Sequence, residues 1–269
     1  NTAAALTLAA FFLKSDLGAK DSSFILSLHA DHIIEDKEKF HESIKRALKV
    51  ASKGVLTLLG VIPNKPETAY GYIESRKEDF LEDGTPYSLV SSFKEKPDVE
   101  TARSYLERGN FYWNSGQFVW QVQTILEEVK TYIPQIFDSF FKWSKLKPEK
   151  RRDLSFLEKI YMNLQSMAID HAVLEKSNKI RMVKALYDWK DVGSWDSLSE
   201  LKFPKDENKN RVKGDCFLSG CKNSIVESDG PFLACLGLKD LVVIAHKGAL
   251  LVCDKNKAQD VKKVVEYLK

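Results

Sequence analysis

Two short apolar runs, Phe24-Ile25-Leu26-Ser27-Leu28 and Val55 to Ile62, bracket a segment whose apolar residues recur at helical spacing. Continuous runs of this length suit buried strands, whereas Phe40, Ile44, Ala47 and Leu48 between them fall on one helical face. Gly54 stops that helix just before the second run. Strand, helix and strand in this order predict a parallel βαβ unit, because parallel neighbours need a crossover rather than a hairpin. A further helix is expected over Thr2 to Lys14, where Asn1 or Thr2 is a fair N-cap and the alanines that follow are strong helix formers.

Beyond Ile62 the pattern changes. Tyr70 to Glu74, Tyr87 to Lys94 and Phe111 to Trp120 have strand character, and Asp98 to Arg108 reads as a capped helix stopped by Gly109. Helical spacing covers Gln123 to Trp143 and Glu149 to Gln165. Ile180 to Tyr187 returns to a strand, and Ser194 to Leu201 reads as a short helix. The expected fold class is therefore α/β: a three-layer α/β/α domain with a mixed sheet. Phe203 to Asn210 is polar and turn-rich, which sets expected domains at 1–202 and 203–269. The second is a small β module with strands at Cys216 to Leu218, Ser224 to Glu227, Phe232 to Leu236, Leu241 to Ala245 and Ala249 to Cys253. An amphipathic helix from about Ala258 to Leu268 closes it. The strand spacing is too irregular to identify a solenoid by period alone.

With 269 residues, 43% hydrophobic and 29% charged, the chain can bury a real core. Its formal net charge of +3 excludes an argument for nucleic-acid or membrane binding from charge. The apolar stretch Ala3 to Leu13 is about half a membrane span, with no basic flank ahead of it. Cys216, Cys221, Cys235 and Cys253 show neither Cys-x-x-Cys spacing nor a histidine at zinc-ligand spacing, which predicts buried free thiols in a reducing, cytoplasmic setting. A helix beginning at residue 2 with no lead-in predicts that the chain continues something longer.

The candidate chemistry is scattered. Asp31 follows the first strand, where open α/β sheets bind ligands, although it also suits a turn cap. His29 and His32 beside it are metal-ligand types that more often serve structure. Asp191, in Trp189-Lys190-Asp191-Val192-Gly193-Ser194-Trp195, suits either a helix cap or a hard-cation ligand. Two carboxylates at different strand ends match what Mg²⁺ asks of a protein, with the remaining positions left to phosphate and water. Gly71, between Tyr70 and Tyr72, either admits a ligand to the backbone or packs under an aromatic ring. Glu95 and Lys96, in Phe93-Lys94-Glu95-Lys96-Pro97, offer hydrogen bonds to sugar hydroxyls or a solvated surface. Asn114, in Trp113-Asn114-Ser115-Gly116, can both donate to and accept from a vicinal diol, or it can make a turn.

In this order the motifs resemble the sugar nucleotidyltransferases, and most closely the bacterial mannose-1-phosphate guanylyltransferases. The resemblance runs through Asn1-Thr2-Ala3, Ala30-Asp31-His32, Lys65-Pro66-Glu67-Thr68 with Tyr70-Gly71-Tyr72-Ile73, Glu95-Lys96-Pro97 and Trp113-Asn114-Ser115-Gly116. It continues in Ile169-Asp170, Glu175-Lys176, Asp191-Val192-Gly193-Ser194-Trp195, Leu241-Val242-Val243 and Gln259-Asp260-Val261-Lys262-Lys263. It implies GTP and mannose 1-phosphate as substrates, GDP-mannose and pyrophosphate as products, and in-line attack assisted by Mg²⁺ held by Asp31 and Asp191. Gly71, Glu95 and Asn114 would hold the sugar, with Asp170 and Lys176 at the same end, and Asn1 and Thr2 would lie near the guanine nucleotide. The C-terminal module would be a left-handed β-helix that packs against a partner subunit in a homodimer.

Departures accompany the resemblance. His29 and Ala69 replace the family's usual proline and glycine. The glycine-rich triphosphate loop has no counterpart, so this chain alone is expected to be inactive, and the short form without the isomerase domain of some relatives is expected. A transferase with another base or sugar, such as UTP or dTTP with glucose 1-phosphate, is a same-class alternative. A non-catalytic sugar-nucleotide-binding regulatory subunit is a different-class one.

Overall fold

A computed structural model describes residues 1–191 and 205–268. It divides into two compact units, Asn1–Ala30 with Ile34–Trp189, and Asp31–Ile33 with Lys190–Lys269. The boundary expected between residues 202 and 203, and the helix expected over Ser194 to Leu201, lie outside the described residues.

In the first unit the strands are β1 (Phe24–Ser27), β3 (Leu56–Val61), β4 (Tyr72–Phe80), β5 (Pro86–Lys94), β6 (Phe111–Gln121) and β7 (Ile180–Lys184), while β2 (His32–Ile34) and β8 (Trp189–Asp191) pair with each other apart from them. The six form one mixed sheet in the order β1-β6-β3-β7-β5-β4. β1 and β3 do run in the same direction, since both are antiparallel to β6. They are not neighbours: β6 lies between them, and the parallel partner of β3 is β7.

Every residue of β3 is buried, and its side chains alternate between two cores. Leu56 and Leu58 join Phe118, Trp120, Met182 and the helices α1 (Thr2–Asp16), α4 (Val122–Tyr132) and α5 (Pro134–Ser144). Leu59 and Val61 join Val119, Val183 and α2 (Lys37–Ala51) on the other face, with Ala102 of α3 (Val99–Arg108). Two apolar faces covered by helices make the three layers. Each fully buried large side chain, such as Trp120 or Leu58, contributes roughly 1.5–3 kcal/mol relative to exposure.

Local chemistry sets the boundaries. Asp36 caps α2 by accepting from Lys39 N at 3.0 Å, Asp98 caps α3 by accepting from Thr101 N at 2.8 Å, and Gly109 ends α3 in the left-handed region at φ 69°. The single helix expected over Gln123 to Trp143 is two. Pro134 cannot donate an N–H and disfavours helical backbone at the residue before it, so Ile133 turns out at φ −139° and Pro134 opens α5. The stretch from Glu149 to Gln165 also splits, into α6 (Pro148–Arg151) and α7 (Leu154–Met162), because Asp153 caps the second by accepting from Phe156 N at 3.2 Å. No helix among the described residues is long and apolar enough to cross a membrane.

The second unit is a β-helix. β9 (Arg211–Lys213), β11 (Ile225–Ser228) and β13 (Leu241–His246) stack in parallel, as do β10 (Cys216–Ser219) and β12 (Leu233–Leu236). Arg211 pairs with Ile225 and Ile225 with Val242, so successive coils are 14 and then 17 residues long. That unequal step hides the repeat in the sequence. Cys221, Val226, Cys235 and Val243 fill the interior. All four cysteines are free thiols, two buried and two half-buried. β14 (Ala249–Asp254) closes the stack as an antiparallel hairpin, across a turn in which Lys247 and Gly248 both have positive φ. A 3₁₀ turn (Lys255–Asp260) and a helix (Val261–Tyr267) follow.

Candidate active site

β6 carries the corner that the Trp113-Asn114-Ser115-Gly116 motif occupies, and the corner is a bulge within one continuous strand rather than a turn. Leu58 pairs with Phe118 and Gly60 with Asn114, so Ser115, Gly116 and Gln117 all stand opposite Leu59. Ser115 Oγ donates to Leu59 O at 2.7 Å, and Gln117 N donates to Ser115 Oγ at 3.3 Å, which satisfies the polar groups the bulge displaces.

The bulge fixes Asn114 from three sides. Its backbone N–H donates to Gly71 O at 2.8 Å, its Nδ2 donates to Asp170 Oδ1 at 3.0 Å, and its Oδ1 accepts from Gly116 N at 3.1 Å. The amide still has one N–H and one lone pair to offer. Asp170 opens a π-helical turn (Asp170–Leu174) in which Glu175 N reaches Asp170 O at 2.9 Å.

Gly71 and Gly116 flank this group, and neither leaves open backbone. A Cβ on Gly71 would collide with Glu95 Oε2 and lie 3.3 Å from both Asn114 Cβ and Phe93 Cζ. A Cβ on Gly116, which has φ 67°, would collide with the His29 ring. The room released by each glycine is filled by side chains, at Gly71 by Glu95 together with the Phe93 ring, in line with the alternative that it packs under an aromatic ring.

Glu95 and Asp170 both hold their protons above the ordinary carboxyl range. Burial is the main cause for each, and the Asp170 charge pushes Glu95 further in the same direction. The pull of Lys96 and His171 on Glu95, and of Asn114, His171 and His29 on Asp170, opposes this only in part. Glu95 Oε1 lies 3.6 Å from Lys96 Nζ. Glu95 Oε2 is buried and has no hydrogen-bond partner among the described residues. Lys96 is exposed and sits in the left-handed region at φ 48°. Sequence reasoning passed over His171; its position directly after Asp170 is the only signal that could have found it.

Thr2 comes to the same segment, because Ile169 N donates to Thr2 Oγ1 at 2.9 Å, one residue before Asp170. Asn1 accepts from Thr2 N at 2.7 Å as the cap of α1. Lys176 is exposed, just past the π-turn.

The two acids expected to hold a cation fall on partnered strands. Asp31 directly precedes β2, Asp191 ends β8, and these strands pair. Asp31 is exposed and Asp191 half-buried. Carboxylates are the hard-oxygen ligand type that a divalent cation takes, with its remaining positions left to water or phosphate. Along the 29–32 stretch, ligand atoms of His29, Asp31 and His32 also lie within 4.8 Å of one another, a softer set.

A mixed sheet covered by helices on both faces, with a polar bulge beside two carboxyls whose pKa burial raises, frames the candidate site. The chain belongs to the nucleotidyl transferase family, whose model matches residues 1–207. Residues 220–268 match the model of the mannoseP isomerase/GMP-like β-helix domain. Within the family it is similar to mannose-1-phosphate guanylyltransferases. That of Klebsiella pneumoniae is 37% identical over 269 residues, and that of Salmonella montevideo 40% over 275; both alignments cover 100% of this chain and 56% of the relative. The chain thus spans just over half the length of these curated relatives. Among solved structures, mannose-1-phosphate geranyltransferase from Thermus thermophilus superposes with a TM-score of 0.84 at 29% identity, covering 100% of this chain and 75% of the other. Mannose-6-phosphate isomerase from Helicobacter pylori superposes with a TM-score of 0.57 at 31% identity, over 71% and 70% of the two chains. Nucleotidyl transferases generally use a divalent metal.

Proposed function

We propose that the protein to which this chain belongs transfers GMP from GTP to α-D-mannose 1-phosphate, giving GDP-mannose and pyrophosphate. A phosphate oxygen of the sugar phosphate attacks the α-phosphorus of GTP in line, and the bond to pyrophosphate breaks. Asp31 and Asp191 would hold Mg²⁺, which would supply neutralisation of the negative charge that develops during transfer. The chain's own contribution at the sugar is positional. Asn114, already fixed by Asp170 and Gly116, presents its remaining N–H and lone pair to adjacent hydroxyls without reordering. Glu95, with Lys96 beside it, accepts from a further hydroxyl, and Lys176 approaches from the same end. Asn1 and Thr2 lie towards the nucleotide. The β-helix unit mediates a homodimer, and the four free thiols support a cytoplasmic location.

The observation that carries the sugar reading is the Glu95 Oε2 acceptor, buried and without a hydrogen-bond partner beside an amide that keeps a free donor and acceptor. Buried polar atoms are rarely left so unless a ligand or water completes them. Calorimetry of this chain with GDP-mannose tests the reading against UDP-glucose. Saturable binding of GDP-mannose alone is expected, and equal or no binding of both ligands would defeat it. Pyrophosphate release from GTP and mannose 1-phosphate by the natural gene product, abolished by Asp191→Asn, tests the chemistry.

A further inference from the structure

The β-helix unit carries a cavity lined by none of the residues assigned to the transfer reaction. It has a volume of about 430 Å³, and its walls are Lys209, Lys222 and Lys239, the amides Asn208 and Asn223, and the acids Glu207 and Asp240. The three lysines come from three successive coils. Lys222 and Lys239 face each other in a parallel bridge. Parallel neighbours lie about 4.8 Å apart, so two ammonium-bearing residues are stacked directly, an arrangement that repels unless an anion lies between them. Neither Lys209 nor Lys222 has a carboxylate within 4.0 Å among the described residues.

The acids in the wall cancel this charge only in part. Asp240 is engaged by Asn223 Nδ2 at 2.6 Å and lies 3.9 Å from Lys239 Nζ. Glu207 is exposed at the rim. Lys255 adds a fourth cation, its Nζ donating to Asn223 Oδ1 at 3.2 Å.

The corner is also built rigidly. Asp206 accepts from Asn208 N at 2.9 Å, Asn210 N at 2.7 Å and Asn210 Nδ2 at 2.9 Å. Buried Asn210 in turn donates to Cys221 O and accepts from Ser224 N. This holds Lys209 in the left-handed region at φ 62°, a conformation that lysine rarely adopts. Asn223 at φ 50° and Asp240 at φ 54° turn the same corner on the next two coils, tied by Asn223 N to Asn208 O at 2.9 Å and Asp240 N to Lys222 O at 3.1 Å. Three left-handed non-glycine residues in register, each coil adding one lysine, make a fixed cationic shelf.

We propose that this shelf binds a multiply charged phosphate anion, with Lys209, Lys222 and Lys239 as the charge donors and Asn208 and Asn223 as neutral hydrogen-bonding partners. Lysine binds phosphate as a mobile point charge, so a shelf of three accommodates the spread charge of a pyrophosphate group. The inference does not depend on the proposed reaction.

The test is lysine acylation read by mass spectrometry on this chain, with and without inorganic pyrophosphate, at roughly physiological ionic strength so that diffuse attraction is screened. Lys222 and Lys239 are expected to be protected, while exposed Lys213 on β9 reacts at an unchanged rate. Pyrophosphate bound elsewhere, at the transfer site for instance, leaves the shelf lysines unprotected and overturns the proposal. The double variant Lys222→Gln/Lys239→Gln, both exposed and so tolerated by the fold, is expected to weaken shelf binding by roughly tenfold or more in calorimetry, and Lys213→Gln to leave it within about twofold. Unchanged affinity in the double variant would equally sink the idea.

Discussion

The two units keep their polar groups in opposite ways. At the Asn114 bulge, carboxyls are drawn into the protein and burial raises their pKa values, and Gly71 clears the space that Glu95 occupies. At the β-helix corner, ammonium groups are held out at the surface by strained but well-bonded backbone. The cores differ in parallel. The first unit commits two alternating faces of β3 to two separate cores, whereas the second relies on a thin column containing Cys221, Val226, Cys235 and Val243. Stability in the first therefore rests on large side chains, and in the second on close stacking of main chain.

Truncating the largest buried side chain should break the first unit most severely. Trp120→Ala is expected to cost about 3–5 kcal/mol, read as a fall in the urea midpoint. A loss under about 1 kcal/mol would mean that the sheet repacks freely and the contrast is wrong.

In the second unit the matching break needs only one carbon. Gly214 has φ 88°, and a Cβ there would run into the backbone carbonyl of Ser228. Gly214→Ala should cost roughly 2–4 kcal/mol from strain and clash together, measured the same way. By comparison, Gly60→Ala in the first unit meets mainly the flexible Met182 side chain and should cost less.

Asn114→Ala sharpens the difference between holding a ligand and holding the fold. It removes the amide that spans Asp170 and Gly116, and GDP-mannose binding should weaken by roughly ten- to a hundredfold. Calorimetry giving the wild-type affinity would remove Asn114 from the site.

The smallest effect tests burial of charge. Because the folded-state pKa of Glu95 is raised, the folded chain binds more protons than the unfolded one above the ordinary carboxyl range, so stability falls as pH rises through that window. Glu95→Gln should then stabilise the chain at pH 7 by about 1 kcal/mol, or roughly 2–4 °C in the melting temperature, and do little at pH 4. Destabilisation at pH 7 would show the carboxylate to be favourably solvated. The same variant should weaken sugar binding, a trade of function against stability.

Much of this was readable in advance where the signal is local. Asp98 and Gly109 punctuate α3 through their own side-chain and backbone chemistry, and Gly54 lies just past the end of α2. The membership of β1 and β3 in one sheet was legible too, but not the strand between them. β6 comes from residues far along the chain, and no local pattern encodes that pairing. Pro134 and Asp153 were visible as residues, yet apolar periodicity running through them outweighed their power to end a helix. The β-helix repeat was obscured because its coils differ by three residues in length. At the site, residue types were easy to find. Their relations were not: that Gly71 accommodates Glu95, and Gly116 accommodates His29, follows only from tertiary packing.

The β6 bulge also limits how this region can change length. Three residues there stand opposite one, so two are in excess, an even number. Strand side chains alternate with period two, so Phe111 and Trp113 before the bulge still face the same core as Val119 after it. Deleting or inserting a single residue among Ser115, Gly116 and Gln117 would turn Phe118 and Trp120 from one core to the other. Removing or adding two would preserve the alternation. The corner that presents Asn114 can thus be lengthened or shortened only in pairs, a rule that any redesign of this bulge inherits from the sheet around it.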